Sequence, residues 1–411
     1  MNQIYDVIVV GAGPAGLVTA EITARAGLKT VVLEKNEAIG VPVRSSGGSW
    51  IGDLQKLGIP DDYYHPLHRL RLVTGKHQAS FDYPKPAACV LDVRRLYQYL
   101  GEKAIAAGAD IRLKTHVDRP YLQEGSLAGV EGSSGRSTSP EVYRSSLVVD
   151  SSGYAGLIGK RQGINPGYKA FGYGAEYDLY APDYDESEAY LLMGSVTAPN
   201  GYGWIFPYGN HRVRLGVGVI RPFNDVDPRD YLEQQYQATP ELSRMLKRSS
   251  PVEFHTGLFP IYPPGGRKFV SDRLLIVGDA AGQGSSLVGE GIRYAIGSAQ
   301  LAGKVVTGAF QSQDWSEAYL MHYQRLWRAK YYKDLVIAYW IYQRIARFSD
   351  RAWDALMPVL SRLTPDQMAG GLKGDFNAGW FSSILFRNPR IALDVAAHSR
   401  IKPAPSRTTP G

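Results

Sequence analysis

The run Asp6-Val-Ile-Val-Val-Gly11-Ala-Gly13-Pro-Ala-Gly16 sets three glycines at GxGxxG spacing directly behind an apolar segment. Glu34 follows at the end of Val31-Val-Leu33. The chemistry this spacing serves is dinucleotide binding. The glycines let the chain turn tightly and approach a pyrophosphate, and the helix opening after Gly13 aims its free N–H groups at that anion. Gly11, Gly13, Pro14, Ala15 and Gly16 are therefore candidate cofactor contacts. Glu34 is placed to receive adenosine ribose hydroxyls, and its neighbour Lys35 belongs to the same candidate set. An acid at this position disfavours a nucleotide that carries a 2′-phosphate in this half.

Two later stretches complete such a site. Leu147-Val-Val-Asp150-Ser-Ser-Gly153 repeats the pattern of an apolar strand ending in an acid and a turn, and so does Leu274-Leu-Ile-Val-Gly278-Asp279-Ala-Ala-Gly282, with Gly289-Glu-Gly291-Ile292 close behind. Asp279, just past its strand, can accept a hydrogen bond from a flavin ribityl hydroxyl. Gly282, Gly289 and Gly291 allow close backbone approach, and Gly278 belongs to the same candidate set. A helix starting near Gly291 and Ile292 would set its positive end against the N1–C2 carbonyl edge of a flavin, which favours an anionic reduced ring. Segments so far apart in the chain can hold the two ends of one molecule only in a single interleaved domain, and the molecule they fit is FAD.

The elements that must position these residues follow from periodicity. Residues 1–66, 88–160 and 271–312 are expected to form a discontinuous FAD-binding domain. Residues 67–87 and 161–270 are expected to form a substrate domain, because short alternating, aromatic-rich segments with glycine breaks suit an antiparallel sheet. The spacing predicts a helix over 94–107, ended near Gly108, and a strand over 111–115. The stretch 123–140, rich in Gly and Ser, reads as a hairpin loop that does not reach the core. Residues 313–411 are expected to be mainly helical, with helices over 315–345 and 351–360 and a tail to Arg400.

Composition narrows the function classes. The 411 residues carry a formal net charge of +7 and 27 tyrosines. Cys89 is the only cysteine, so neither an intramolecular disulfide nor a cysteine-ligated metal cluster can form, and no metal site is expected. Its Ala-Ala-Cys-Val setting predicts a buried core thiol. No basic–aromatic module points to nucleic acid. The chain starts almost at once in its first strand, without a leader pattern, and no apolar run of about 18 residues predicts a spanning helix. A cytoplasmic protein, peripheral at the membrane, is the expectation.

With these motifs on the page, the chain resembles the geranylgeranyl reductase family, within the larger flavoprotein group that includes the aromatic hydroxylases. The resemblance rests on Gly11-Ala-Gly13-Pro-Ala-Gly16, Gly40-Val-Pro42-Val43-Arg44, Gly203-Trp204-Ile-Phe206-Pro207 and the Gly278–Ile292 segment, and covers roughly residues 4–345. It implies an α/β plus β-rich fold: a GR2-type Rossmann-like FAD-binding domain interleaved with an antiparallel-sheet substrate domain, then a helical C-terminal region. It also implies an activity, the reduction of carbon–carbon double bonds in prenyl or isoprenoid lipids by reduced FAD. The electron donor would be NADPH, reduced ferredoxin or another redox partner. Tyr202, Trp204 and Phe206 are the implied substrate contacts, because aromatic rings offer broad apolar surface. Arg44 is the implied flavin-side arginine. A second family arginine falls at Val93 by its spacing to Leu96 and Leu100, so Arg94 takes that role after a shift of one residue. Where the family has Cys-Gly-Glu-Gly, this chain has Ser45-Ser46-Gly47-Gly48, and the loop offers no thiol.

Two alternatives stay open on the sequence. An FAD monooxygenase acting on an apolar or aromatic substrate would share every nucleotide motif, and so would a non-catalytic flavin-binding protein. The C-terminal segment favours a greasy substrate: Tyr323, Trp327, Tyr331, Tyr332, Val336, Tyr339, Trp340 and Ile345 lie along one helical run rich in Arg and Lys. Basic side chains beside apolar rings suit an anionic amphiphile or a membrane surface.

Overall fold

The computed structural model describes residues 4–135, 140–195, 198–238, 244–264 and 266–387. Ile4–Val10 forms a strand whose Val7, Ile8 and Val9 are wholly inaccessible. β-Branched residues favour this central position in a sheet covered on both faces. The strand pairs in parallel with Thr30–Leu33 on one side and Glu141–Asp150 on the other, and Asp110–Arg112 and Leu274–Ile276 extend the parallel order outward. Register sets Leu33, Val10, Asp150 and Ile276 side by side. Strand ends thus stop at one level, and the loops leaving them share one crevice.

Helix Pro14–Arg25 packs on this sheet against Val93–Ala106 and Ile292–Ser312. Val93, Leu96, Leu100 and Ala104 recur at helical spacing and are buried, and the Asp92 carboxylate caps that helix by accepting from Arg95 N–H at 3.2 Å.

The second sheet has seven strands in the order Ser250–Ile261, Ala170–Tyr180, Arg212–Arg221, Gly201–Gly209, Glu188–Met193, Arg69–Val73, Gln78–Asp82. All its pairs are antiparallel except Arg69–Val73 on Glu188–Met193. A small sheet of Gly48–Trp50, Ala88–Leu91 and Tyr64–Leu67 completes the β-structure. A Rossmann-like unit interleaved with an antiparallel sheet and followed by helices is therefore the architecture, as the motifs imply.

From Glu317 to Arg387 the chain is mainly helical: Glu317–Trp327, a π turn at Arg328–Tyr332, Lys333–Ile345, Asp350–Leu360, Pro365–Lys373 and Ala378–Arg387. The expected aromatic stripe divides. Tyr323 and Trp327 are fully buried in the main core, and the Trp327 indole N–H donates to Ser298 Oγ at 3.1 Å, whereas Trp340 is 66 % exposed. Among the described residues no helix is long and apolar enough to cross a membrane. The tail expected beyond Arg387 lies outside the described residues.

One expectation is corrected. Within the stretch read as a loop, Ser126–Ser134 is a strand, paired with Thr115–Gln123 and with Glu141–Asp150. Val130 is fully buried. Its glycines are thin places in a sheet: a Cβ at Gly129 would stand 2.0 Å from Tyr143 O, and one at Gly132 2.0 Å from His116 O. Residues 136–139 of that stretch lie outside the described residues. Val130→Ala should cost about 1–3 kcal/mol. A urea midpoint unchanged by the substitution would return this segment to a surface loop.

Candidate cofactor and substrate site

The sheet crevice opens into one cavity of about 1390 Å³. Ordinary ligand pockets hold roughly 300–1,000 Å³, so there is room for a dinucleotide and a second molecule. Gly11, Gly13, Pro14, Ala15, Glu34 and Lys35 line one end. Gly11 has φ +99°, and a Cβ there would lie 2.7 Å from Ser151 O, so only glycine fits. At Gly13 a Cβ would meet nothing within 4 Å, which leaves the approach to the helix N-terminus open. That N-terminus has no side-chain cap and no acid in its first turn. Its free N–H groups are therefore available to an anion. Gly16 is off the wall; a Cβ there would stand 2.1 Å from Gly11 O, so it serves close packing of helix on loop. Glu34 Oε2 accepts from Ala12 N–H at 2.7 Å and Oε1 from Asn36 N–H at 2.8 Å. Each oxygen keeps a further lone pair for a ribose hydroxyl.

The middle of the cavity is met by a second uncapped N-terminus, that of Ile292–Ser312, whose N-cap is Gly291 and whose first turn carries no acid. Gly289, with φ +66°, Gly291 and Ile292 line the wall here. Asp279 stands beside them: a Cβ on Gly291 would come within 3.2 Å of its Oδ1. The Asp279 carboxylate accepts no hydrogen bond among the described residues, and burial pushes its pKa up to about 6. A carboxylate left wanting a donor, beside a helix N-terminus, fits a polyhydroxy chain and a flavin ring. Gly278 is behind it, at φ +72°, with Ala15 Cβ 3.0 Å from where its own Cβ would be. The intervening Glu290 is anchored instead, accepting from Ser49 Oγ at 2.9 Å and Arg293 Nε at 2.8 Å.

Two arginines part company. Arg44 is exposed and lines the cavity. Arg94 is off the lining, its Nη2 donating to both oxygens of Glu253 at 2.8 Å. Asp150 also turns inward, accepting from Ser152 N–H and Oγ and from Gly159 N–H, and so shapes its loop.

Tyr202, Trp204 and Phe206 all line the cavity, from one face of their strand. The Tyr202 hydroxyl donates to Val288 O at 2.6 Å, which ties the sheet to the Gly289 turn. The Trp204 ring lies over Gly216, where a Cβ would clash at 2.3 Å, and its N–H donates to Glu176 Oε2 at 2.9 Å. Phe206 stacks near it, centroids 6.3 Å apart.

Sequence reasoning missed two parts of the wall. One is a row of directly opposed residues, Tyr202, Gly218, Gly174 and Gly257, whose glycines admit close neighbours: a Cβ at Gly218 would stand 3.2 Å from the Trp204 ring and one at Gly257 2.3 Å from Arg44 O. The other is the apolar far end, lined by Leu72, Met193, Leu360, Leu363, Met368 and Leu372. The only advance signal for the latter was the amphipathic pattern of the last helices. Cys89 is fully buried and burial pushes its thiol well up, as its setting predicts.

Comparison with known proteins agrees with this geometry. A family model described as an FAD binding domain matches residues 4–325. The chain is an FAD-dependent oxidoreductase. It is 31 % identical over 401 residues to digeranylgeranylglycerophospholipid reductase 2 of Methanopyrus kandleri, covering 96 % of this chain and 99 % of that one. To digeranylgeranylglycerophospholipid reductase 2 of Methanothermobacter thermautotrophicus it is 31 % identical, over 87 % and 91 % of the two chains. Among solved structures, a geranylgeranyl bacteriochlorophyll reductase-like protein of Thermoplasma acidophilum superposes with a TM-score of 0.83 at 24 % identity, over 97 % and 100 % of the two chains. A flavin-dependent brominase shares the fold at a TM-score of 0.67 and 19 % identity, over 96 % and 100 %. The chain belongs to the geranylgeranyl reductase family.

The position of Asp279 makes a prediction for the FAD-free protein. Its carboxyl keeps its proton up to about pH 6 in the fold, against an ordinary value of 3.8. A raised carboxyl pKa means the ionised form destabilises the fold, with a penalty that grows from about pH 4 and is complete above about pH 6. Asp279→Asn should therefore raise the melting temperature of the FAD-free protein at pH 7.5 and not at pH 4, while weakening FAD binding. A variant that binds FAD as tightly as the parent would remove Asp279 from the cofactor contacts.

Proposed function

We propose that this enzyme reduces carbon–carbon double bonds of an isoprenoid lipid. What supports the reading is the continuity of one cavity from the two uncapped helix N-termini, past the aromatic strand, to the apolar end under the last helices. FAD, when bound, supplies the hydride chemistry. In this reading Gly11, Gly13, Pro14, Ala15 and Gly16 form the pyrophosphate loop. Glu34 and Lys35 meet the adenosine. Gly278, Asp279, Gly289, Gly291 and Ile292 form the flavin side, with Arg44 at its rim and Arg94 holding Glu253 behind it. Tyr202, Trp204 and Phe206 orient the alkene, and the far end takes the rest of the chain. The relatives named as digeranylgeranylglycerophospholipid reductases point to the same substrate class. The division into an FAD-binding domain of 1–66, 88–160 and 271–312, a substrate domain of 67–87 and 161–270, and a C-terminal region from 313 is part of the proposal.

An isoprenoid lipid sits in a membrane, and the cavity has a face that suits one. Trp340 lines the cavity, yet is 66 % exposed, and the Arg344 guanidinium lies 5.3 Å from its ring centroid. We infer a cytoplasmic enzyme that rests on the membrane surface through this face, an exposed ring and a cation being a familiar interfacial pair. NADPH, reduced ferredoxin or another redox partner provides the electrons.

The test is anaerobic mixing of the pre-reduced flavoprotein with a geranylgeranylated lipid, following flavin absorbance and the product mass. Reoxidation should accompany a product that has gained two hydrogens. No reoxidation by properly dispersed lipid would sink the reading and turn attention to oxygen-dependent hydroxylation. Leu363→Trp fills part of the apolar end and should slow reoxidation about tenfold or more, with FAD affinity unchanged. An unaltered rate would mean the chain lies elsewhere.

A further inference from the structure

One buried ionic cluster on the cavity wall has no part in holding dinucleotide or chain. Glu176, Asp178, His255 and Arg214 are each no more than 5 % exposed. They stand as directly opposed pairs on three neighbouring strands, Glu176 facing His255 and Asp178 facing Arg214. Glu176 and His255 line the cavity next to Gly174 and Gly257 of the glycine row.

Asp178 is well compensated. Arg214 Nε–H donates to its Oδ1 at 3.0 Å, the Tyr208 hydroxyl donates to Oδ2 at 2.9 Å, and Arg212 stands 3.9 Å away on the more exposed side. Burial pushes this carboxyl up, but His255 and Arg214 overcome that and hold it at about 2. Glu176 has less around it. His255 Nδ1 is 3.1 Å from Oε1 and the Trp204 N–H meets Oε2. Burial raises its pKa against the pull of Arg214 and His255. Glu253, the next acid on the His255 strand, is taken by Arg94. Arg214 Nη1 donates to Ser46 O at 2.8 Å and to Leu91 O at 2.9 Å, beneath the Ser45–Gly48 loop.

Arg214 and Arg212 both stand on Asp178, which leaves Glu176 without a guanidinium of its own, and a buried carboxylate tolerates that poorly. One more proton, shared by Glu176 and His255, restores the balance. Neither His255 ring nitrogen has a well-directed hydrogen bond among the described residues. Its Nδ1 and Nε2 instead make charge contacts, at 3.1 Å to Glu176 Oε1 and 3.6 Å to Asp178 Oδ1, so the imidazole bridges the two carboxylates.

Several other acidic groups on the wall are held by partners or stand elsewhere along it. The Tyr202 hydroxyl donates to Val288 O and burial raises its pKa, and Cys89 is sealed in the core. Glu290 pairs with Arg293. Glu34 is at the adenosine end and Asp279 beside the Gly291 helix.

We propose that the Glu176–His255 pair is the proton store of this site, holding one proton between them and delivering it to the alkene carbon that does not receive hydride. The proposal rests on the reductase reading. In the step, the alkene π bond breaks. One carbon takes hydride with its electron pair from the reduced cofactor, and the other takes the proton of the pair. The pair is left one proton short and regains it from water.

The test uses the FAD-loaded enzyme in two independent ways. Isotope-labelled histidine NMR and carboxyl infrared spectroscopy on the substrate-free holoenzyme should find one shared proton at neutral pH, either imidazolium beside carboxylate or neutral imidazole beside a protonated Glu176. The signals are assigned by their loss in His255→Asn and Glu176→Gln. A neutral ring beside an ionised carboxylate overturns the proposal, whatever the substrate. In the lipid reoxidation experiment both variants should be slowed about 100-fold or more with FAD retained, and added imidazole should restore part of the rate to His255→Gly. Wild-type rates in both folded variants overturn it as well. If the wild-type enzyme itself is not reoxidised by lipid, the reductase reading fails and delivery to an alkene fails with it, while the spectra still decide whether the pair stores a proton.

Discussion

The structure hangs on the alignment of four strand ends. Leu33, Val10, Asp150 and Ile276 lie in one register row of the parallel sheet, so the loops that begin at Gly11, Glu34, Ser151 and Val277 leave it at one level. A slip of one residue in any of these pairings would turn that strand's side chains to the opposite faces. The row is locked from beneath by a fully buried Asp150 that satisfies Ser152 and Gly159, and across the gap by Ser151 Oγ donating to Val10 O at 2.8 Å. Both ends of a dinucleotide can be held because those backbones are already in place.

The second sheet answers with its own rows. Trp204, Gly216, Glu176 and His255 are opposed across four strands, and the missing side chain at Gly216 lets the indole reach Glu176 on the strand beyond. The adjacent row of Tyr202 with three glycines lets the Trp204 ring and the Arg44 backbone come close to the sheet. Sheets usually bury apolar side chains on such a face. Here a polar row takes their place, with Trp204 N–H and His255 against Glu176 and Arg214 against Asp178.

The nucleotide half was legible because its signals are local. Glycines at fixed spacing, an acid at a strand end and a helix start each depend on a few consecutive residues. Misreadings arose where one residue type has two uses. Gly129 and Gly132 break loops in most sequences, but here they admit the carbonyls of Tyr143 and His116 in neighbouring strands. Arg94 carries the right charge at nearly the right spacing, yet Glu253, 159 residues on, draws its guanidinium off the cavity wall. The aromatic run near 323–345 divided between core and surface because the π turn at Arg328–Tyr332 falls within it and the flanking helices pack differently.

Residue order alone determined that a dinucleotide-binding unit, an antiparallel aromatic sheet and a helical end would form, since hydrophobic period and turn chemistry act within a few residues. It also put Tyr202, Trp204 and Phe206 on one face, because alternate residues of a strand share a side. Tertiary structure decided what those side chains meet. Glu176 and Asp178 became a compensated cluster only when strands from residues 212–221 and 250–261 flanked them in the observed register. The apolar end of the cavity formed only when Leu363 and Met368 closed over Leu72 and Met193. Such contacts come from pairing between distant segments, where burying shared apolar area and matching backbone hydrogen bonds select one register, and no local spacing encodes that choice.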